Sequence, residues 1–154
     1  MKYILGLLVG AAAVAVMGWM AMPSMMLKEY QSPFDTNKTI ENIKANAKAK
    51  GWVIPGVSKL HEAIKEHGGH DIEPAYLVNL CNATHAYNIL KKDEQKIISV
   101  MMPCTISVYE KSDGKTYIGT MNAELLGKMF GGDIAQIFGV EVAEDQQSFI
   151  KFVK

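Results

Sequence analysis

The sequence predicts a two-layer α+β domain, with a mainly antiparallel sheet packed by helices, preceded by one transmembrane helix. Three observations carry that reading. Strand-like and helix-like segments alternate irregularly along the chain instead of falling into separate blocks. Ser112-Asp113-Gly114-Lys115 is a hairpin signal between two extended runs, so part of the sheet must be antiparallel. The run from Tyr3 to Met22 carries no charge in a chain of 154 residues. Residues 1–23 therefore read as an N-terminal transmembrane anchor or signal segment, and residues 24–154 as a single α+β domain.

A helix over the uncharged run would span ~30 Å, the thickness of a hydrocarbon core. Lys2 and the α-amino group precede it, while Lys28 and Glu29 nearly cancel beyond it. That balance favours a cytoplasmic N-terminus and a single pass through the cytoplasmic membrane, with the soluble domain on the outer, periplasmic or extracellular, side. A cleaved signal peptide is the competing reading. Ala13-Val14-Ala15 offers a small-residue cleavage site but comes early, and Trp19 and Met20 suit cleavage poorly. No cysteine follows closely enough for a lipoprotein anchor. Gly6 and Gly10 make a GxxxG spacing, which in so alanine- and glycine-rich a span arises readily by chance.

The elements follow in order. Leu27 to Tyr30 begins a strand. Asp35 is placed to cap a helix whose Ile40, Ile43 and Ala47 form one apolar stripe, ending at Gly51. Trp52-Val53-Ile54 reads as a strand broken or bulged at Pro55-Gly56. Leu60 and Ile64 mark a short helix ending at Gly68-Gly69. Glu73 to Leu80 is extended and Thr84 to Lys91 helical. Ile97 to Glu110 is the longest strand candidate, interrupted by Pro103, and Thr116 to Thr120 is its partner across the hairpin. Helices over Ala123 to Phe130 and roughly Glu144 to Lys151 close the domain, with breaks at Gly131-Gly132 and Gly139.

Charge excludes some functions. Basic and acidic residues balance at 16 each, so there is no electrostatic footprint for nucleic acid. Every basic residue is lysine, which rules out bidentate guanidinium recognition of carboxylate or phosphate. Neither G-x-S-x-G nor H-E-x-x-H is present, and the C-terminal glycines match no phosphate or dinucleotide loop.

From Ser32 to Phe130 the chain resembles family 302 of the domains of unknown function. Phe34-Asp35 and Gly51-Trp52-Val53-Ile54 share its pattern. The most specific parts are Leu77-Val78-Asn79-Leu80-Cys81-Asn82, Met102-Pro103-Cys104-Thr105-Ile106-Ser107-Val108-Tyr109-Glu110 and Asp113-Gly114-Lys115. The family usually has proline after Cys-Asn, where this chain has Ala83. The resemblance implies a compact α+β fold, often as an oligomer, and brings no activity with it.

Cys81 and Cys104 are the only thiols. Cys81 lies where a strand gives way to a helix, so free backbone N–H groups there would favour a thiolate. His85 is four residues on and could share a helix face with it. Cys81, His85 and Cys104 are thus candidate metal ligands, with Met102 a candidate cofactor contact on the strand face of Cys104. This soft donor set would suit copper(I) or haem iron. The alternatives are inert core cysteines, a structural disulfide, or a thiol redox pair; the absence of Cys-x-x-Cys weighs against the last. His67-Gly-Gly-His70-Asp71 reads as a solvated turn. Of the ten methionines, Met101 and Met102 alone stand beside a candidate site, the others being anchor or core residues.

The expectation is a membrane-anchored, non-cytoplasmic module that binds a small ligand, a metal ion or haem, near Cys81, His85 and Cys104, and that is not an enzyme. A thiol redox protein using Cys81 and Cys104, and a structural subunit of a membrane complex, remain open. The expected partners are the membrane and either further copies of the chain or membrane-complex subunits, with no nucleic acid.

Overall fold

Five strands lie side by side, each antiparallel to its neighbour, in the order β1 (Leu27–Gln31), β5 (Thr116–Met121), β4 (Cys104–Glu110), β3 (Ala75–Cys81), β2 (Val53–Lys59). This computed structural model describes Gly10, Val14, residues 16–20, Met22 and residues 24–153. The expected transmembrane segment, residues 1–23, lies mostly outside them. Among the described residues no helix is long and apolar enough to cross a membrane.

Strand register determines what can meet at each end of the sheet. Leu27 lies opposite Met121, Leu80 opposite Cys104 and Val53 opposite Cys81. The starts of β1, β2 and β4 and the ends of β3 and β5 therefore share one end of the sheet. The hairpin between β4 and β5 turns at the other end, with Gly114 at a φ of 72°. The expected bulge in β2 is present: its register to β3 shifts between Val53 and Gly56, where Pro55 has no N–H to give the ladder.

One face of the sheet is apolar. Val78, Leu80, Ile106, Val108 and Ile118 are buried there, each burial contributing about 1.5–3 kcal/mol. Helix α1 (Thr36–Ala49) covers them with Ile40, Ile43 and Ala47, the stripe read from the sequence. Asp35 accepts a hydrogen bond from the Lys38 N–H at 2.8 Å and caps the helix as expected. Asn46 donates to the Phe149 carbonyl at 3.0 Å, tying α1 to the C-terminal helix. On the other face, Asn79 donates to Ser58 at 3.4 Å and accepts from Thr105 at 3.2 Å, so that surface is polar. The α2 helix (Leu60–Gly68) and α3 helix (Ala83–Leu90) lie where the sequence places them.

Two segments depart from expectation. Asp93–Met101 is a 3₁₀ helix, and β4 starts only at Cys104. The β-branched residues of this stretch suggest a strand, but strand alternation would bury Ile98 and Val100 together. Instead Ile98 is buried while Ile97 and Val100 are 76% and 84% exposed. Burying one residue per turn demands a coil. Gly139, expected as a helix break, lies inside a continuous helical run. It belongs to a π-helical segment (Ile137–Val142) between α5 (Gly132–Gln136) and α6 (Ala143–Phe149).

The backbone of Gly139 is packed against another glycine, and it is that second glycine whose lack of a side chain the crossing requires. Gly139 crosses Gly127 of α4 (Ala123–Phe130), and a Cβ on Gly127 would come within 2.3 Å of the Gly139 nitrogen. Backbone cannot step aside as a side chain can. Gly127→Ala is expected to destabilise the fold by about 2–3 kcal/mol in urea unfolding, while Gly56→Ala, with open space around it, costs less than about 1 kcal/mol. Equal stabilities for the two variants would contradict this account of the crossing.

Candidate functional site at the end of the sheet

A cavity of about 490 Å³ lies where β3 ends and β4 begins. Its walls come from the strand ends, α3, the 3₁₀ segment and the π-helical segment. Cys81, His85, Met102 and Cys104 all line it, so the four residues singled out from the sequence border one space. The rest of the lining is mostly apolar, including Trp52, Leu80, Ala86, Ile89, Leu90, Phe138 and Val142.

The local geometry differs from what spacing suggested. Cys81 is the last residue of β3 and precedes the cap of α3, so Cys81 and His85 are not successive-turn neighbours on one helix. Asn82 is that cap. Its side-chain oxygen accepts from the Thr84 and His85 N–H groups at 3.1 and 3.2 Å. The donors expected to draw a thiolate at Cys81 are thereby already satisfied. The same bonds explain how the helix starts at Ala83 without proline, since an asparagine cap stabilises a helix by about 1 kcal/mol. Met102 precedes β4 instead of sharing its face, and its peptide to Pro103 is cis.

Cys81 and Cys104 are both free and half-buried. The ladder pairs Cys104 with Leu80, leaving Cys81 one residue out, so the two are not a cross-strand pair. Burial pushes the Cys104 thiol up to about 11, with the neighbouring Cys81 adding to the effect. A thiol so displaced is neutral at pH 7 and a weak nucleophile.

His85 sits between two carboxylates of the C-terminal helices. Glu141 Oε2 lies 3.2 Å from Nδ1, and Asp145 Oδ2 lies 3.9 Å from Nε2. Neither contact is aligned as a hydrogen bond, and the buried Nδ1 has no hydrogen-bonding partner. Asp145 is committed elsewhere: it accepts from the Trp52 indole Nε1–H at 2.8 Å and pairs with Lys50 at 3.3 Å. Trp52 in turn packs edge-on to Phe149 at 5.3 Å and tilts against His85 at 5.8 Å.

Sequence reasoning missed Trp52, Phe138, Val142 and Asp145 as parts of this site. Trp52 and Asp145 are 93 residues apart, and no local pattern links them. The remaining histidines stay outside the cavity. His61 contacts the Ala75 backbone, and His67 and His70 are exposed beside the Lys65–Asp71 pair, consistent with a solvated turn. Among the described residues, no group of three or more His, Cys, Asp or Glu side chains is placed to hold a metal ion.

Fold and cavity together define a single-sheet α+β domain with an apolar chamber at one end of the sheet. The sequence profile described as "Domain of unknown function DUF302" matches residues 28–153, and the chain belongs to that family. The crystal structure of an uncharacterised conserved DUF302 protein from Bacillus stearothermophilus is similar, with a TM-score of 0.73 at 21% identity. The match covers 84% of this chain and 99% of that one, which establishes the shared fold. No curated protein matches the chain.

Two outcomes test this geometry. Asp145→Ala strands the buried Trp52 N–H and is expected to lower stability by about 1–3 kcal/mol, whereas Asp145→Asn keeps an acceptor and loses less. Equal losses would show that the hydrogen bond is not what Asp145 supplies. The fold favours the neutral Cys104 thiol, so its contribution is full below the ordinary value of 9.0 and disappears as pH rises through about 11. At pH 8, iodoacetamide should alkylate Cys104 roughly 100-fold more slowly in the native protein than in urea. Matching rates would contradict its burial.

Proposed function

We propose that this chain is a non-enzymatic binding module, held on the outer face of the cytoplasmic membrane by residues 1–23, that takes a small and largely apolar ligand in the sheet-end cavity. One observation carries the reading: Cys81, His85, Met102 and Cys104 converge on a single, otherwise apolar space. Its volume of about 490 Å³ falls within the ~300–1,000 Å³ typical of small-molecule sites. The apolar walls would stabilise a ligand by excluding water from it, at roughly 25 cal/mol per Å². The polar contribution is soft and sparse: an imidazole, a thioether and two thiols.

Haem combines an apolar plane with an iron that accepts imidazole, thiolate or thioether, so it matches both halves of the lining. A bare metal ion matches less well, because it would need a tighter cluster of donors. A thiol redox pair is disfavoured by the neutral, buried Cys104 and by the strand register. The tether is supported by the uncharged run from Tyr3 to Met22.

The test uses the full chain in nanodiscs, with empty nanodiscs as reference, titrated with haemin and separately with the neutral dye N-phenyl-1-naphthylamine. Each probe is expected to saturate at one per chain and to displace the other. Ala86→Trp, which fills the cavity, should weaken both by at least about tenfold. His85→Ala should abolish the Soret shift of ligated iron while leaving the dye bound. Absence of saturable binding of either probe, or binding indifferent to Ala86→Trp, would refute the proposal.

A further inference from the structure

The sheet end that holds the cavity is also the end at which the apolar N-terminal part of the chain enters β1. Leu27 opens β1 opposite Met121, and the same end carries Cys104 and the 3₁₀ segment that precedes it. Just before β1, Trp19 and Met20 are exposed, and Trp19, Met22, Met26 and Leu27 line an apolar recess. Tryptophan near the end of an uncharged run is the residue that settles at a membrane interface.

The 3₁₀ segment adds a second apolar surface. Residues three apart align on a 3₁₀ helix, so Ile97 and Val100 form one exposed ridge, while Ile98 anchors the opposite side in the core. Tyr87, on the adjoining α3, is also largely exposed. The local charges cancel: Lys92 pairs with Asp133 and Lys96 with Asp93, while Lys91 offsets the exposed Glu94 that continues the ridge at its N-terminal end. Ser99 and Met102, from the same stretch of chain, line the cavity. One short segment therefore faces solvent with aliphatic side chains and the cavity with its other residues.

We infer that this end of the domain docks on the lipid bilayer, with Ile97 and Val100 seated among the lipid chains beside the cavity. The inference rests on the tether of the proposed function but not on the cavity being occupied. A domain tethered at Leu27 presents this end to the membrane, and water-exposed aliphatic side chains at that level gain by leaving water. Because the local charges cancel, attachment depends on apolar contact and needs no anionic lipid. A ligand carried in the cavity would then be drawn from, or delivered to, the membrane.

The experiment uses the full chain reconstituted in phosphatidylcholine vesicles, with a photoactivatable diazirine residue at Val100. A second preparation carries it at Lys111, in the hairpin at the far end of the sheet. Both positions are on the surface, so neither replacement disturbs the core, and flotation with the vesicles first establishes the tether. Position 100 is expected to give at least about tenfold more lipid adduct than position 111, and adding phosphatidylglycerol should not change the ratio. Equal lipid yields from floating protein would overturn the docking while leaving the tether intact. Adducts to a second copy of the chain would overturn it in favour of self-association. Failure to float would overturn docking and tether together, and the dye and haemin titrations would still report on the cavity.

Discussion

Trp52 is buried at the end of the sheet, and its indole N–H finds its acceptor in a carboxylate that the chain supplies 93 residues later. That hydrogen bond holds the C-terminal helix against the strand ends. Without it a large aromatic ring would sit in the core with an unsatisfied donor, which costs about 1–3 kcal/mol. Through Asp145 the same contact brings Lys50 and His85 to one place, and Phe149 packs on the ring. With α6 fixed there, the preceding π-helical segment presents Phe138 and Val142 to the cavity. π-Helical turns are uncommon inside α-helices and recur at functional sites, and here the turn forms a wall.

The chemistry of the chamber follows from what surrounds each polar group. Asn82 accepts from two N–H donors at the start of α3, burial holds Cys104 neutral, and the strand register offsets Cys81 by one residue from the position opposite Cys104. What they leave is an apolar volume with a few soft or neutral contacts. On the proposed reading, this volume receives a bulky ligand in preference to a bare ion.

Much of the fold was legible because its signals are local. The Asp35 cap, the Ile40-Ile43-Ala47 stripe, the Pro55-Gly56 bulge and the Asp113-Gly114 turn each act within a few residues, and each is present. The misreadings arose where a distant partner decides the outcome. Ile97, Ile98 and Val100 have strand-forming side chains, yet the core receives only Ile98 of the three. Gly139 resembles a breaker until Gly127 is placed against it. The site was half legible in the same sense. Cys81, His85, Met102 and Cys104 could be named from residue type, but Trp52 and Asp145 acquire their roles only through tertiary contact. Family membership adds the fold and no activity.

The central claim is that the sheet-end cavity holds a small apolar ligand, and native mass spectrometry of the full chain, gently extracted from its own membrane, tests it most directly. The account predicts a native mass above that of the bare chain by one small molecule, which denaturation releases intact and which Ala86→Trp prevents from binding. A native mass equal to that of the bare chain, unchanged by denaturation and by Ala86→Trp, would contradict it.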